Sequence, residues 1–137
     1  MIMMEKEQVL HIAEEWNLMT EKVFELEAIE IKTLQELLKE TYQVLHFYHK
    51  EEVVPKTVCQ MLLEVESFLY FSSMFEGKEV KLNFYYFQLI DSIVEALTKG
   101  FFEGKYKEEY PMLSIKNMLG ESTVFDLENG SMEELII

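Results

Sequence analysis

Apolar side chains recur along this chain at the three-to-four-residue interval of an α-helix, in four separate stretches. In the first, Val9, Ile12, Ala13, Trp16, Met19 and Val23 fall on one stripe, with Glu7, His11, Glu14 and Glu15 opposite. The next stretch, "FELEAIEIK" over 24–32, follows a strand period at Phe24 and Leu26 and changes phase before Ile29 and Ile31. It is read as helix with a bend. Thr33 and Glu36 then have the spacing of a capping box. Behind them Leu34, Leu37, Leu38, Tyr42, Leu45 and Tyr48 line a second helix that runs to about residue 50.

Pro55 suits the first turn of a third helix. Its main stripe is Val58, Met61, Leu62, Val65, Phe68, Leu69 and Phe75, and Gly77 is the expected stop. A second apolar line runs along the same helix through Cys59, Leu63, Tyr70 and Met74, divided from the first by Glu66 and Ser73. Two faces imply two contacts. Either the segment after Pro111 covers the second line, or the line is an interface for a partner or a second copy, where aromatic residues and Met are enriched.

Asn83 is a good N-cap for a fourth helix ending near Gly104. Gln88, Asp91, Ser92, Glu95, Thr98 and Lys99 gather on one narrow side of it. Tyr85, Tyr86, Phe87, Leu89, Ile90, Ile93, Val94, Leu97 and Phe101 cover the rest. That apolar arc is wider than one neighbour can bury, so the helix is expected to be central, with two or more partners.

Beyond it, Pro111 is read as starting a helical turn through Leu119. Asn129-Gly130 reads as a turn, and Ser131 with Glu134 as a capping pattern. The expected fold is therefore all-α: a single-domain bundle of four main helices over 1–104. Residues 105–137 form a short acidic C-terminal segment of the same domain, packed on the bundle or partly ordered.

Charge changes the picture of what such a bundle can meet. The 137 residues carry a net charge of −14, and all 12 basic side chains are Lys. Nucleic-acid binding is disfavoured twice, by the sign of the charge and by the lack of Arg for bidentate reading of bases and phosphates. An acidic surface also repels anionic lipid and attracts a basic protein. No apolar run approaches the ~20 residues of a membrane-spanning helix, and charge appears at Glu5 before a signal peptide's apolar core could form. A full-length cytoplasmic chain is expected. The Lys- and Glu-rich, Arg-free usage suggests a bacterial or phage genome rich in A and T.

Candidate chemistry is thin. His46 and His49 in "HFYH" are spaced so that both could reach one metal, but bundle metal sites need further inward ligands such as Glu-x-x-His, which does not occur. They are read as ordinary histidines near a helix C-terminus, and no metal or cofactor is expected. Glu7 and His11 form a surface i, i+4 pair. Cys59 is the sole cysteine and has no His nearby in sequence, and Ser72 and Ser73 lie mid-helix without a nucleophile elbow. The glycines form no phosphate-binding loop.

These features lead to a non-enzymatic, cytoplasmic protein-interaction or regulatory protein, in the manner of an acidic inhibitor or immunity protein that holds a basic partner. Its interface candidates are Cys59, Leu63, Tyr70 and Met74, which could equally serve a homodimer. The alternative is a helical sensor that binds an apolar small molecule between the third and fourth helices. Its pocket would be lined by Phe68, Phe71, Phe75, Phe84, Tyr86, Phe87 and Ile90.

Overall fold

The computed structural model describes residues 5–25, 27, 29–74, 84–106, 112–116 and 120–132, the side chains of 74 and 84–87 excepted. Four helices, α1 (Lys6–Phe24), α2 (Ile31–Tyr48), α3 (Lys56–Met74) and α4 (Phe84–Glu103), are followed by two short strands, β1 (Met112–Lys116) and β2 (Ser122–Asp126). The helical periodicity is realised as expected. Each apolar stripe turns inward, and the fully buried side chains at its centre include Trp16, Leu34, Leu38, Tyr48, Met61, Phe68, Ile90 and Leu97. α1 packs chiefly on α3 and α2 on α4, while α1 meets α2 and α3 meets α4 more lightly. Around the bundle the order is therefore α1, α2, α4, α3.

Residues 24–32 are not a bent helix. α1 ends at Phe24, and α2 starts after Glu30, whose backbone is extended and which is the N-cap of α2. Glu21 and Glu25 stand at i, i+4, where like charges oppose helix continuation. A hydrogen bond with Glu27, and then the charges of Glu27 and Glu21, raise the Glu25 carboxyl above the usual range. Ile29 anchors the connection in the core. The capping box expected at Thr33 does not form, since Glu30 is the N-cap and makes no side-chain cap hydrogen bond. Thr33 lies inside α2, and its hydroxyl donates to the Glu30 carboxylate over 3.3 Å.

Pro55 precedes α3, where the Val58 N–H bonds the Pro55 carbonyl at 3.0 Å. α4 stops at Gly104, whose φ of 65° is open to glycine at little cost. The Gly104 N–H reaches the Phe101 carbonyl and the Lys105 N–H the Gly100 carbonyl, so two of the last carbonyls are satisfied by a Schellman turn. The stop expected at Gly77, the cap at Asn83 and the Ser131/Glu134 pattern lie outside the described residues.

The segment after Pro111 is not a helical turn. Residues 112–116 pair antiparallel with 122–126, placing Leu113 opposite Phe125 and Ile115 opposite Thr123. Leu113, Ile115 and Phe125 are buried, whereas Ser114, Lys116 and Val124 are exposed. Strict alternation makes this small sheet amphipathic, and β1 lays its apolar face on α4. α4 thus meets α2, α3 and the hairpin, as its wide apolar arc requires.

The chain beyond β2 is held at two points. The Asp126 carboxylate accepts the N–H groups of Glu128 and Asn129, each at 3.0 Å, and these bonds with that of the Asn129 amide hold its pKa below the usual value. Gln35 of α2 then grips the segment with both ends of its amide, donating to the Gly130 carbonyl at 2.6 Å and accepting from the Met132 N–H at 3.0 Å. Gln35→Ala is expected to cost about 1–3 kcal/mol, because both backbone groups lose their partner. Hydrogen exchange should show amides 122–132 losing protection while the helices keep theirs. Equal loss throughout the chain would mean the tail and bundle unfold only together.

Candidate functional site

The described side chains of the second line of α3 are exposed. The C-terminal segment was one candidate to cover it, but in its described part β1 lies against α4, and Gly130 and Met132 are held by Gln35 of α2. Leu63 is 68 % exposed and Tyr70 63 %, Cys59 is exposed, and Glu66 stands exposed between them. Met74 belongs to α3, but its side chain lies outside the described set. At the C-terminal end of the line the Tyr70 ring meets Phe71 edge-on at 5.2 Å, and Phe71 packs on the half-exposed Phe24 of α1 at 4.7 Å. The apolar line therefore continues into an aromatic corner shared by two helices.

Since Leu63 and Tyr70 are largely exposed, Leu63→Glu with Tyr70→Glu should fold normally. The expected change in stability is within about 0.5 kcal/mol of the parent in a urea melt. A loss of several kcal/mol would mean that some other part of the chain covers the line.

The residues expected to line an apolar pocket divide. Phe68 and Ile90 are fully buried in the common core, the Phe68 ring tilted against Trp16 at 5.4 Å. Phe71 is half-buried at the aromatic corner just described. Phe75 and the side chains of Phe84, Tyr86 and Phe87 lie outside the described residues. The groove between α3 and α4 that the structure does show is lined by Glu66, Leu69, Asp91, Val94, Glu95, Thr98 and Lys99, so most of these side chains are charged. Burial, with the Glu95 charge second, raises the Asp91 carboxyl above its ordinary range.

His46 and His49 meet at the end of α2, their ring centroids 4.9 Å apart. The His49 Nδ1–H donates to the His46 carbonyl at 2.5 Å, which leaves Nε2 as the acceptor nitrogen. His49 is buried and its Nε2 has no hydrogen-bond partner among the described residues. Tyr106 stacks beside both rings, at 6.0 Å from His46 and 5.3 Å from His49, and Tyr42 completes the group at 5.2 Å from Tyr106. No set of three or more His, Cys, Asp or Glu that could hold a metal occurs among the described residues. The pair belongs to an aromatic cluster that seats the chain after α4.

Tyr106 also forms a wall of a cleft that sequence reasoning missed. The cleft, about 400 Å³, opens between α4 and β1, and Lys99, Lys105, Lys116, Tyr42 and Tyr106 are among its lining residues. Ser92 is part of the lining, and its Oγ accepts the Lys116 N–H at 2.8 Å. The three lysines are separated in sequence and come together because β1 folds back onto α4. A period-two alternation of Leu113 and Ile115 with Ser114 and Lys116 was the signal available for that strand.

No family model matches the chain, and no curated protein or solved structure matches it either; the reading of function therefore rests on its own residues.

Proposed function

We propose that this chain is a non-enzymatic protein-interaction module that holds a basic partner on the exposed line of α3. The observation that carries this reading is the exposure of Leu63 and Tyr70, at 68 % and 63 %, on a helix whose opposite face is already fully used in the core. Desolvating a Leu or a Tyr against a partner gains about 1.5–3 kcal/mol for a side chain of this size, and a Tyr is a frequent anchor in such contacts.

Charge selects the partner. Two copies of a chain with net charge −14 would bring Glu66 and the surrounding acid against themselves, whereas a Lys- or Arg-rich surface gains from the same field. Self-association is therefore the weaker use of the line. Steering of this kind falls off with salt, because the screening length is about 10 Å at 0.1 M.

A photoreactive residue at position 63, introduced in the source cells, tests the reading. The expected product is a covalent adduct to a protein with a basic surface, lost when Tyr70 is changed to Glu. An adduct of twice the chain's own mass would replace the basic partner with a second copy. No adduct at position 63, alongside strong adducts from the same probe on α2, would end the proposal.

A further inference from the structure

The geometry points to the cleft between α4 and β1 as a binding site for a small organic anion, a phosphate monoester or carboxylate attached to a compact apolar body. The site is independent of the α3 line and has the opposite electrostatic character. In a chain of net charge −14, three of the lysines line one cleft in which Glu95 is the only acidic lining residue among the described residues. They arrive from three places: Lys99 from α4, Lys105 from the turn after it, and Lys116 from β1. Lys105 shares its charge with Glu103 outside the cleft, at 3.6 Å. Neither Lys99 nor Lys116 has a carboxylate in ion-pair reach among the described residues.

The neutral polar groups of the lining add to the same bias. Ser92 accepts the Lys116 N–H, and its own hydroxyl proton has no acceptor among the described residues. Ser114 and Ser122 contribute two more hydroxyls. Burial first, and then the charge of Glu128, raise the Tyr42 phenol above its ordinary value, so Tyr42 presents a proton and not a phenolate. Among the polar side chains of the described lining, the three lysines, the three serines and Tyr42 can therefore offer hydrogens to an oxyanion, whereas Glu95 cannot and the Tyr106 hydroxyl is already committed to Leu97.

Size and apolar surface define the rest of the ligand. A volume of about 400 Å³ lies at the small end of ligand-binding cavities, suited to a single ring or short chain. Ala96, Ile115 and the rings of Tyr42 and Tyr106 supply the apolar wall. Lysine ammonium groups act as point charges and not as planar forks, so they accept either a phosphate or a carboxylate head. The wall is also preorganised. The Tyr106 hydroxyl donates to the Leu97 carbonyl, and its ring lies on the bare backbone of Gly100.

The test is a titration of the isotope-labelled full chain with phenyl phosphate, followed by amide NMR, with parallel titrations of benzoate and of neutral benzyl alcohol. Phenyl phosphate, benzoate or both should shift amides in 92–100 and 112–116 in a saturable way, and the stronger of the two names the head group. Benzyl alcohol should bind far more weakly. Lys99→Gln with Lys116→Gln changes two exposed side chains and should leave the chain folded, while weakening the anion roughly tenfold. The proposal is overturned if neither anion shifts these amides at millimolar concentration. Equal binding of benzyl alcohol, or undiminished anion binding by the folded double variant, would overturn it as well.

Discussion

Replacing Trp16 by alanine should cost about 3–5 kcal/mol of folding stability, the range for deleting a large aromatic from a packed core. Trp16 is completely buried and sits at the centre of the α1–α3 contact, against Phe68. Its indole N–H donates to the Thr41 hydroxyl at 2.8 Å, and that hydroxyl donates in turn to the Leu37 carbonyl at 2.8 Å. One side chain therefore ties α1 to both α3 and α2. Whole-protein stability is typically about 5–15 kcal/mol, so the variant should be close to unfolding at ambient temperature. Urea melts followed by circular dichroism give the value. Trp16 is also the chain's only tryptophan, so the parent's fluorescence reports this core directly. A loss below about 1 kcal/mol would show that the neighbouring helices collapse into the space.

Gly100→Ala should destabilise the protein by about 1–3 kcal/mol, the cost of overpacking a filled site. The sign is the informative part. In a helix interior the same change normally stabilises by about 0.5–1 kcal/mol. Here an added Cβ would overlap Tyr106 Cε1 and come within 2.6 Å of Cδ1. Moving the ring breaks the hydrogen bond to Leu97 and disturbs the stack on Tyr42, His46 and His49. Burial, with Tyr42 second, already pushes the Tyr106 phenol far above its ordinary pKa, so the displaced hydroxyl would be a buried, neutral, unpaired donor. A double-mutant cycle checks the cause. In a Tyr106→Ala background, Gly100→Ala should become stabilising, and a cost that persists there would place the clash elsewhere.

Helix-period reading captured what depends on local pattern. The stripes of α1, α2 and α3 became the core, and the wide apolar arc of α4 correctly implied several neighbours. The failures occurred where short range and long range compete. The "FELEAIEIK" stretch has enough apolar residues for a helix, but its glutamates stand at repelling spacings and Ile29 is held by the core. The strand 112–116 is too short for its alternation to outweigh a helical turn after Pro111. Once that strand was misread, the cleft could not be found, because Lys99 and Lys116 become neighbours only through the hairpin. The exposed line on α3 was legible, since four apolar residues at helical spacing stood apart from the main stripe. Its occupant was not, since Leu63, Tyr70 and Cys59 stand exposed among the described residues.

The grip of Gln35 on Gly130 and Met132 joins residues 95 and 97 positions apart. Closing so long a loop is entropically expensive until the intervening chain is already compact, and contacts of this separation slow folding. The helices can pair through shorter connections, so pulse-labelled hydrogen exchange should find α1 and α3 protected before β1 and β2. On a ribosome the order is enforced further, because Gln35 is made long before the residues it holds. For much of its synthesis the chain would be a bundle with an open flank, and the wall carrying Lys116 would be the last part of the cleft to arrive.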